Sequence, residues 1–441
     1  MVSARSHPRR ITGFMYPRWL LATILLGLFP FLLHNRSIAQ VPGEPLQNPS
    51  TDSPANPVMP GQHEPLLPER SNLPSDEHES PPLMRIDQRD PIIRLGELRD
   101  AIRTDPHDGD TRLKLAEGLY QFGDLDAAID ECRVAIKINQ DDAKAHLQLG
   151  VILIAKQDWR AASSVLKEAI RLDPTLTRAY YSLGNVQYSL GNVTAAIQSY
   201  RRALELQPYF PDARYRLALL LKLTKNYEEA AQFLEGAAVG GVPHAQFFLG
   251  NAYKNGQGVE RNLGQAVFWW TRAAESGYQP ATDVLSKLRR QALSTNQPEP
   301  QRRAALDAFQ AYREKLWDEF PDLIRNGEGG TVGTTLLEWH RGNDAVRTLL
   351  RECYALSDVA LAELARLYES GWGLEFPPYD KTIFTCVETT AAEGFVPAKK
   401  VLARIYGKGI GMEPDLLKAK AALDGLSKQE IRSVLAQLNA S

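Results

Sequence analysis

Residues 181–208 read YSLGNVQYSLGNVTAAIQSYRRALELQP. The doubled YSLGN looks like local low complexity until the stretch is compared with its surroundings. Stepping in units of 34 residues from Pro208 reaches Pro174 and Pro106, with Gln140 in the remaining slot. Ala101, Ala135, Ala169, Ala203 and Ala237 form a second series in the same step, and Ala116, Gly150, Gly184 and Ala218 a third. The inner echo is incidental and the period is 34, a length at which self-similarity marks stacked repeats.

The residue types at these positions have a physical reason. A helical hairpin that stacks on its neighbour needs close backbone approach, which glycine and alanine allow. The proline ends one helical run and resets the chain. Larger apolar residues such as Leu147, Leu166, Leu183 and Tyr200 fill the space between helices. In this arrangement the chain resembles the tetratricopeptide (TPR) family, with repeats at 109–142, 143–176 and 177–210 and a degenerate copy at 211–240. Residues 92–108 resemble a lone second helix capping the stack, so 92–240 reads as one TPR domain.

That resemblance implies an all-α, right-handed solenoid of helical hairpins whose first helices line a concave groove for a partner segment. Carrying the family's inward positions onto this sequence gives Leu113 and Tyr120, then Leu147, Val151 and Ile154. The third repeat supplies Arg178, Tyr181, Asn185 and Tyr188, and the fourth Tyr215 and Leu219. Chaperone-type relatives clamp a terminal carboxylate with lysine or arginine and asparagine. Here Arg178 and Asn185 are present, but the lysines are missing and Tyr181 stands between. The groove therefore suits an extended apolar or amphipathic peptide.

The pattern changes after residue 240. Counting from Ala245, Ala360 and Ala398, a tyrosine follows eight positions on (Tyr253, Tyr368, Tyr406). Glycines follow at eleven (Gly256, Gly371, Gly409) and thirteen (Gly258, Gly373, Gly411). The three copies resemble Sel-one-like repeats (SLR), TPR relatives with a longer turn in which glycine permits positive φ. The first spans 241–285, and the others, with a cap, occupy 358–441. FPPYD at 376–380 lengthens the middle loop, and the last copy has a shortened second helix. No strand precedes these loops and no Lys-Ser/Thr pair follows, so they read as turn geometry and not as phosphate cradles.

Between them lies an insert at 286–357. Leu306, Phe309, Tyr312, Leu316 and Trp317 recur at three- and four-residue spacing and predict an amphipathic helix. A second helix is predicted from about Thr334 to Cys353, after the glycine-rich turn NGEGGTVG. The segment AFQAYR at 308–313, the turn and the second helix resemble the small envelope domain of LprI-type lysozyme inhibitors. That resemblance implies inhibition of a wall-degrading enzyme through 300–357. The family carries a cysteine after its Ala-Tyr-Arg segment and another in its second helix, near where this chain has Trp317 and Trp339. The other reading is a helical hairpin inserted in the solenoid.

The N-terminal region stands apart. Arg5, Arg9, Arg10 and Arg18 precede an apolar run from Trp19 to Leu33, followed by Ser37-Ile38-Ala39. Residues 1–39 thus read as a secretory signal peptide, leaving Gln40 first, with an uncleaved inner-membrane anchor as the alternative. Pro30 and the short apolar core disfavour a stable span, which needs about 20 apolar residues. Residues 40–91 hold 12 of the chain's 28 prolines amid Ser, Asn, Glu and Asp, a composition that suits a disordered tether. These features place the protein in the periplasm or outside the cell.

The formal charge of −2 gives no sign of a nucleic-acid binder. Of three cysteines, Cys132 falls at a core phase, while Cys353 and Cys386 could pair in an oxidising compartment. No HExxH, CxxC, Gly-x-Ser-x-Gly or phosphate-loop motif is present, and no two histidines are spaced for a metal on one helix face. His146 falls on a packing phase, His244 near a helix start and His340 at the surface. The expectation is a non-enzymatic, cofactor-free scaffold or adaptor in the bacterial cell envelope with a protein or peptide partner. The alternative is the lysozyme binder of 300–357.

Overall fold

Aspartates set the first helix starts. Asp108 accepts from the Thr111 amide at 3.0 Å, Asp124 from Ala127 at 3.2 Å, Asp142 from Lys144 and Ala145 at 2.9 and 3.1 Å, and Asp158 from Ala161 at 3.1 Å. Such caps contribute about 1 kcal/mol each. In the computed structural model, which describes residues 91–324, 330–372 and 376–439, they open the regular hairpins that follow a lone helix α1 (Pro91–Thr104). These are α2 (Gly109–Gln121) with α3 (Leu125–Ile138), and α4 (Ala143–Ala155) with α5 (Trp159–Leu172). Next come α6 (Thr177–Ser189) with α7 (Val193–Leu206), and α8 (Pro211–Leu223) with α9 (Tyr227–Val239). The expected signal segment, the expected linker up to residue 90, part of the glycine-rich turn and Gly373 lie outside the described residues.

Each of these hairpins turns on one left-handed residue. Gly123 (φ +83°), Gln157 (+63°), Gly191 (+81°) and Lys225 (+64°) fall one period apart. Gln157 and Lys225 carry a side chain there at a cost of about 1 kcal/mol each. Within a hairpin, a small residue on the first helix meets a large one 16 positions later. A Cβ on Gly150 would lie 2.6 Å from Leu166, and one on Gly184 would lie 2.6 Å from the Tyr200 ring. Leu166 and Tyr200 are fully buried, and the Tyr200 hydroxyl donates to Asn185 Oδ1 at 2.7 Å. Cys132 occupies the same phase, and burial pushes its thiol pKa up to about 12.

The longer turn enters with α10 (Pro243–Asn255) and α11 (Leu263–Glu275). Gly256 and Gly258 have φ of +67° and +74°. A Cβ on Gly258 would sit 1.9 Å from the Tyr227 carbonyl oxygen, so this loop lies directly on the preceding hairpin. Then come α12 (Gln279–Leu293), α13 (Glu299–Lys315), a 3-10 turn at Leu316–Glu319, α14 (Val332–Glu338) and α15 (Gly342–Tyr354). The chain continues with α16 (Asp358–Ser370), α17 (Lys381–Ala392), α18 (Val396–Lys408), α19 (Leu416–Ala422) and α20 (Lys428–Asn439). Among the described residues there is no strand, only an isolated bridge between Trp372 and Phe376. None of the described helices is long and apolar enough to cross a membrane. The short α19 matches the shortened helix expected of the last copy, and α20 covers Gly407 with Leu438.

Two expectations need correction. The single helix predicted from 334 to 353 is two helices, broken where His340 takes φ +56°. There the Arg341 amide reaches back to the Leu336 carbonyl at 2.9 Å, a C-terminal wrap that ends α14. The boundary expected between 285 and 286 falls inside α12. The helices of 286–357 are not an appendage: one continuous buried cluster runs from Ala266 through Phe309, Leu336 and Leu349 to Leu364 and Ile405. Arg351 on α15 pairs with Glu275 at the end of α11 (2.7 Å) and with Glu319 (3.0 Å). Arg289 on α12 forms a bidentate pair with Glu393, directly after α17, at 2.5 and 2.9 Å, both side chains over 90% buried. Cys353 and Cys386 are free thiols, both buried in this cluster and beside one another.

Glu352 on α15 supplies a pH-sensitive point. Only 1% exposed, it accepts from the Val332 amide at 2.9 Å and the Gly333 amide at 3.4 Å. Burial raises its pKa to about 7, against the lowering effects of Thr331, those two amides and Arg313. A carboxyl raised in the folded state stabilises fully below its unfolded value near 4.5 and loses that contribution as pH rises through 7. Urea denaturation should show stability falling by roughly 1 kcal/mol from pH 6 to pH 8 on account of this group. Glu352→Gln should flatten that fall, and an unchanged slope in the variant would contradict the assignment.

Candidate functional site

The inward residues of the first two repeats prove to be mainly wall. Leu113, Tyr120, Leu147 and Ile154 are half-buried and packed against the core beneath them, and Val151 is half-buried beside them. Gln148 donates to the Leu113 carbonyl at 2.7 Å and ties α4 to α2. The third repeat offers more. Arg178 is exposed, and Tyr181 and Tyr188 are half-buried with accessible faces. The Tyr181 ring lies 4.9 Å from Phe210 and 5.9 Å from Tyr200. Asn185 already spends its carbonyl oxygen on Tyr200.

Tyr215 and Leu219 lie deeper than their sequence positions suggest. Tyr215 is only 7% exposed, and Leu219 is half-buried in the same cluster. The ring of Tyr215 instead starts a ladder that continues past residue 240. Its centroid lies 5.9 Å from His244 and 6.3 Å from Phe248, and His244 lies 4.6 Å from Tyr278. Phe247 closes the ladder against Tyr278 at 5.3 Å. The aromatic strip therefore joins the third repeat, the fourth repeat and the first longer-turn hairpin.

Sequence reasoning placed the strip's end at Leu219 because the period changes there. The missing signal was a shortened step: Pro211-x-Ala213 recurs as Pro243-x-Ala245, 32 residues later, with His244 and Phe247 in the inward positions. It also missed Arg216, whose guanidinium lies within electrostatic reach of Tyr181, Tyr200 and Tyr215. Burial, with Arg216 nearby, lowers the pKa of His244 and holds it neutral. Burial raises the hydroxyl pKa of Tyr188 and Tyr215. The strip is thus a surface of neutral rings around one guanidinium. Among the described residues no cluster of three His, Cys, Asp or Glu side chains is set to hold a metal.

Stacked hairpins with a continuous inward strip define an α-solenoid of the protein-binding class. Family comparison specifies it. TPR repeat models match 95–143, 150–191, 184–224 and 211–238, and the Sel1 repeat model matches 243–278 and 398–421. The chain thus carries tetratricopeptide and Sel1 repeats, and such repeats typically serve as non-enzymatic interaction scaffolds.

Among curated proteins it is 39% identical over 61 residues to DAP3-binding cell death enhancer 1 of Mus musculus, 14% of this chain and 12% of that protein. Among solved structures it is similar to MamA (26% identity, 32% of this chain and 84% of that one, TM-score 0.31). It is also similar to YrrB, described as a TPR protein with an unusual peptide-binding site (20% identity, 43% and 98%, TM-score 0.35). The pilF protein of Pseudomonas aeruginosa is a third (20% identity, 52% and 90%, TM-score 0.34).

Proposed function

We propose that the protein is a non-enzymatic scaffold of the bacterial cell envelope that holds an extended segment of a protein partner along the strip from Tyr181 to Tyr278. The observation that carries this reading is the strip itself. Its rings are packed against one another, so little side-chain entropy is lost when a partner lands on them. The envelope location rests on the N-terminal sequence: arginines, an apolar run and Ser37-Ile38-Ala39 before a proline-rich stretch. Sequencing the exported protein should find Gln40 first, whereas recovery of Met1 in the membrane fraction would establish the anchored form. The lysozyme-inhibitor reading of 300–357 rests on resemblance alone.

Tyr181 and Tyr188 make the test of the binding surface. Both present a ring face from α6 while keeping part of their area in the wall. Removing an anchoring side chain of this kind costs about 2 kcal/mol or more, roughly thirtyfold in affinity. Tyr181→Ala/Tyr188→Ala should keep the helical circular dichroism of the parent and lose its envelope partner in a matched pull-down. Unchanged recovery would move the binding surface to the longer-turn half or to the outer helices.

A further inference from the structure

Several arginines of the TPR region are paired with a carboxylate, among them Arg112 with Glu131, Arg171 with Glu168, Arg201 with Glu229 and Arg202 with Glu205, at 2.6–2.7 Å. Arg216 is not. It is half-buried on α8 and within the electrostatic reach of Tyr181, Tyr188, Tyr200, Tyr215 and His244. No described Asp or Glu pairs with it. Lys222, also on α8, lies over the Phe248 ring at 5.2 Å and likewise has no carboxylate. Arg178, exposed on α6, has no ion pair among the described residues either.

A guanidinium partly removed from water without a counter-ion is costly, because burial penalises an uncompensated charge. Its neighbours offer hydroxyl oxygens and ring faces, which solvate it only in part. The fork of donors that remains suits a carboxylate, which a guanidinium binds through two parallel hydrogen bonds. Position decides what kind of carboxylate. Aromatic surface extends to both sides of Arg216, towards Phe210 and Tyr181 in one direction and towards His244 and Tyr278 in the other. A chain end placed at Arg216 would leave one of those two sides bare.

We propose that Arg216 receives the side-chain carboxylate of an internal Asp or Glu in an extended partner segment, flanked on both sides by apolar residues that lie on the aromatic strip. This rests on the groove reading above and names the chemistry of its occupant. Arg178 and Lys222 favour further acidic residues in the same segment by their charge alone.

The test is a selection with the full chain from two libraries of random dodecapeptides, one fused at both ends and one with a free C-terminus. Peptides from the first library should be enriched in a central Asp or Glu between apolar residues. They should bind Arg216→Gln about tenfold more weakly or worse, and Arg216→Lys should recover part of the loss. Selection on Arg216→Gln should keep the apolar preference and lose the acidic one, with circular dichroism matched to the parent. Apolar peptides without acidic enrichment on the parent chain would overturn the role of Arg216 and leave the groove standing. Binders from the free-terminus library alone would overturn it in favour of a chain-end carboxylate. Peptides indifferent to Tyr181→Ala/Tyr188→Ala, or no binders from either library, would overturn the groove reading and this proposal together.

Discussion

Arg289→Ala is expected to destabilise the C-terminal half by about 3–5 kcal/mol, because it leaves Glu393 as a buried carboxylate without a partner. The pair joins α12 to the residue after α17 across 104 positions of chain, and both side chains are over 90% buried. Arg289 also lies over the Tyr354 ring of α15 at 5.4 Å, so one guanidinium holds three helices that the sequence separates widely. Tryptophan fluorescence reads this region well, since Trp269, Trp270, Trp317, Trp339 and Trp372 all lie in it and Trp159 alone reports on the TPR repeats. The urea midpoint followed by fluorescence should fall sharply in the single variant. Arg289→Met with Glu393→Leu should recover most of the loss, since replacing both charges removes the stranded ion. A single variant within 1 kcal/mol of the parent would mean that water reaches Glu393.

Gly184→Leu should cost about 3 kcal/mol, the upper end for overpacking a filled core. The site has no slack. A Cβ alone would stand 2.6 and 2.8 Å from two atoms of the Tyr200 ring, and that ring is held by its hydroxyl on Asn185. Displacing the ring pushes α6 from α7 and disturbs Tyr181, whose centroid lies 5.9 Å from that of Tyr200. Because repeats contact chiefly their neighbours, the damage should stay local. Hydrogen exchange should show protection lost first over 177–210 and adjoining helices, with α16 to α18 retaining theirs. Uniform loss along the chain would contradict a solenoid stabilised by neighbour contacts.

The period of 34 was legible because the core demands it: a small residue at 150, 184 or 218 must face a large one 16 positions on, and both are visible as residue types. The turns were legible only where glycine marks them. Gln157 and Lys225 adopt the same left-handed backbone as Gly123 and Gly191, and no residue type announces it. His340 breaks a run that reads as one helix for the same reason. The groove was legible as far as a fixed repeat could be counted, and its continuation through His244 to Tyr278 was hidden by a step of 32. Tyr215 occupies an inward position in the pattern, yet its neighbours Phe248 and His244 cover it. The pairing of Arg289 with Glu393 depends on where the chain returns after five intervening helices, which local patterns do not encode.

A photo-crosslinking amino acid at single positions tests the central claim most directly. Placed at Tyr188, on the inward face of α6, it should give a discrete adduct with an envelope protein in living cells. Placed at Thr194, exposed on the outer helix α7, it should give none. Arg216→Gln in the Tyr188-labelled chain should weaken the adduct. An adduct from Thr194 with nothing from Tyr188 would place the partner on the outer helices and contradict the account.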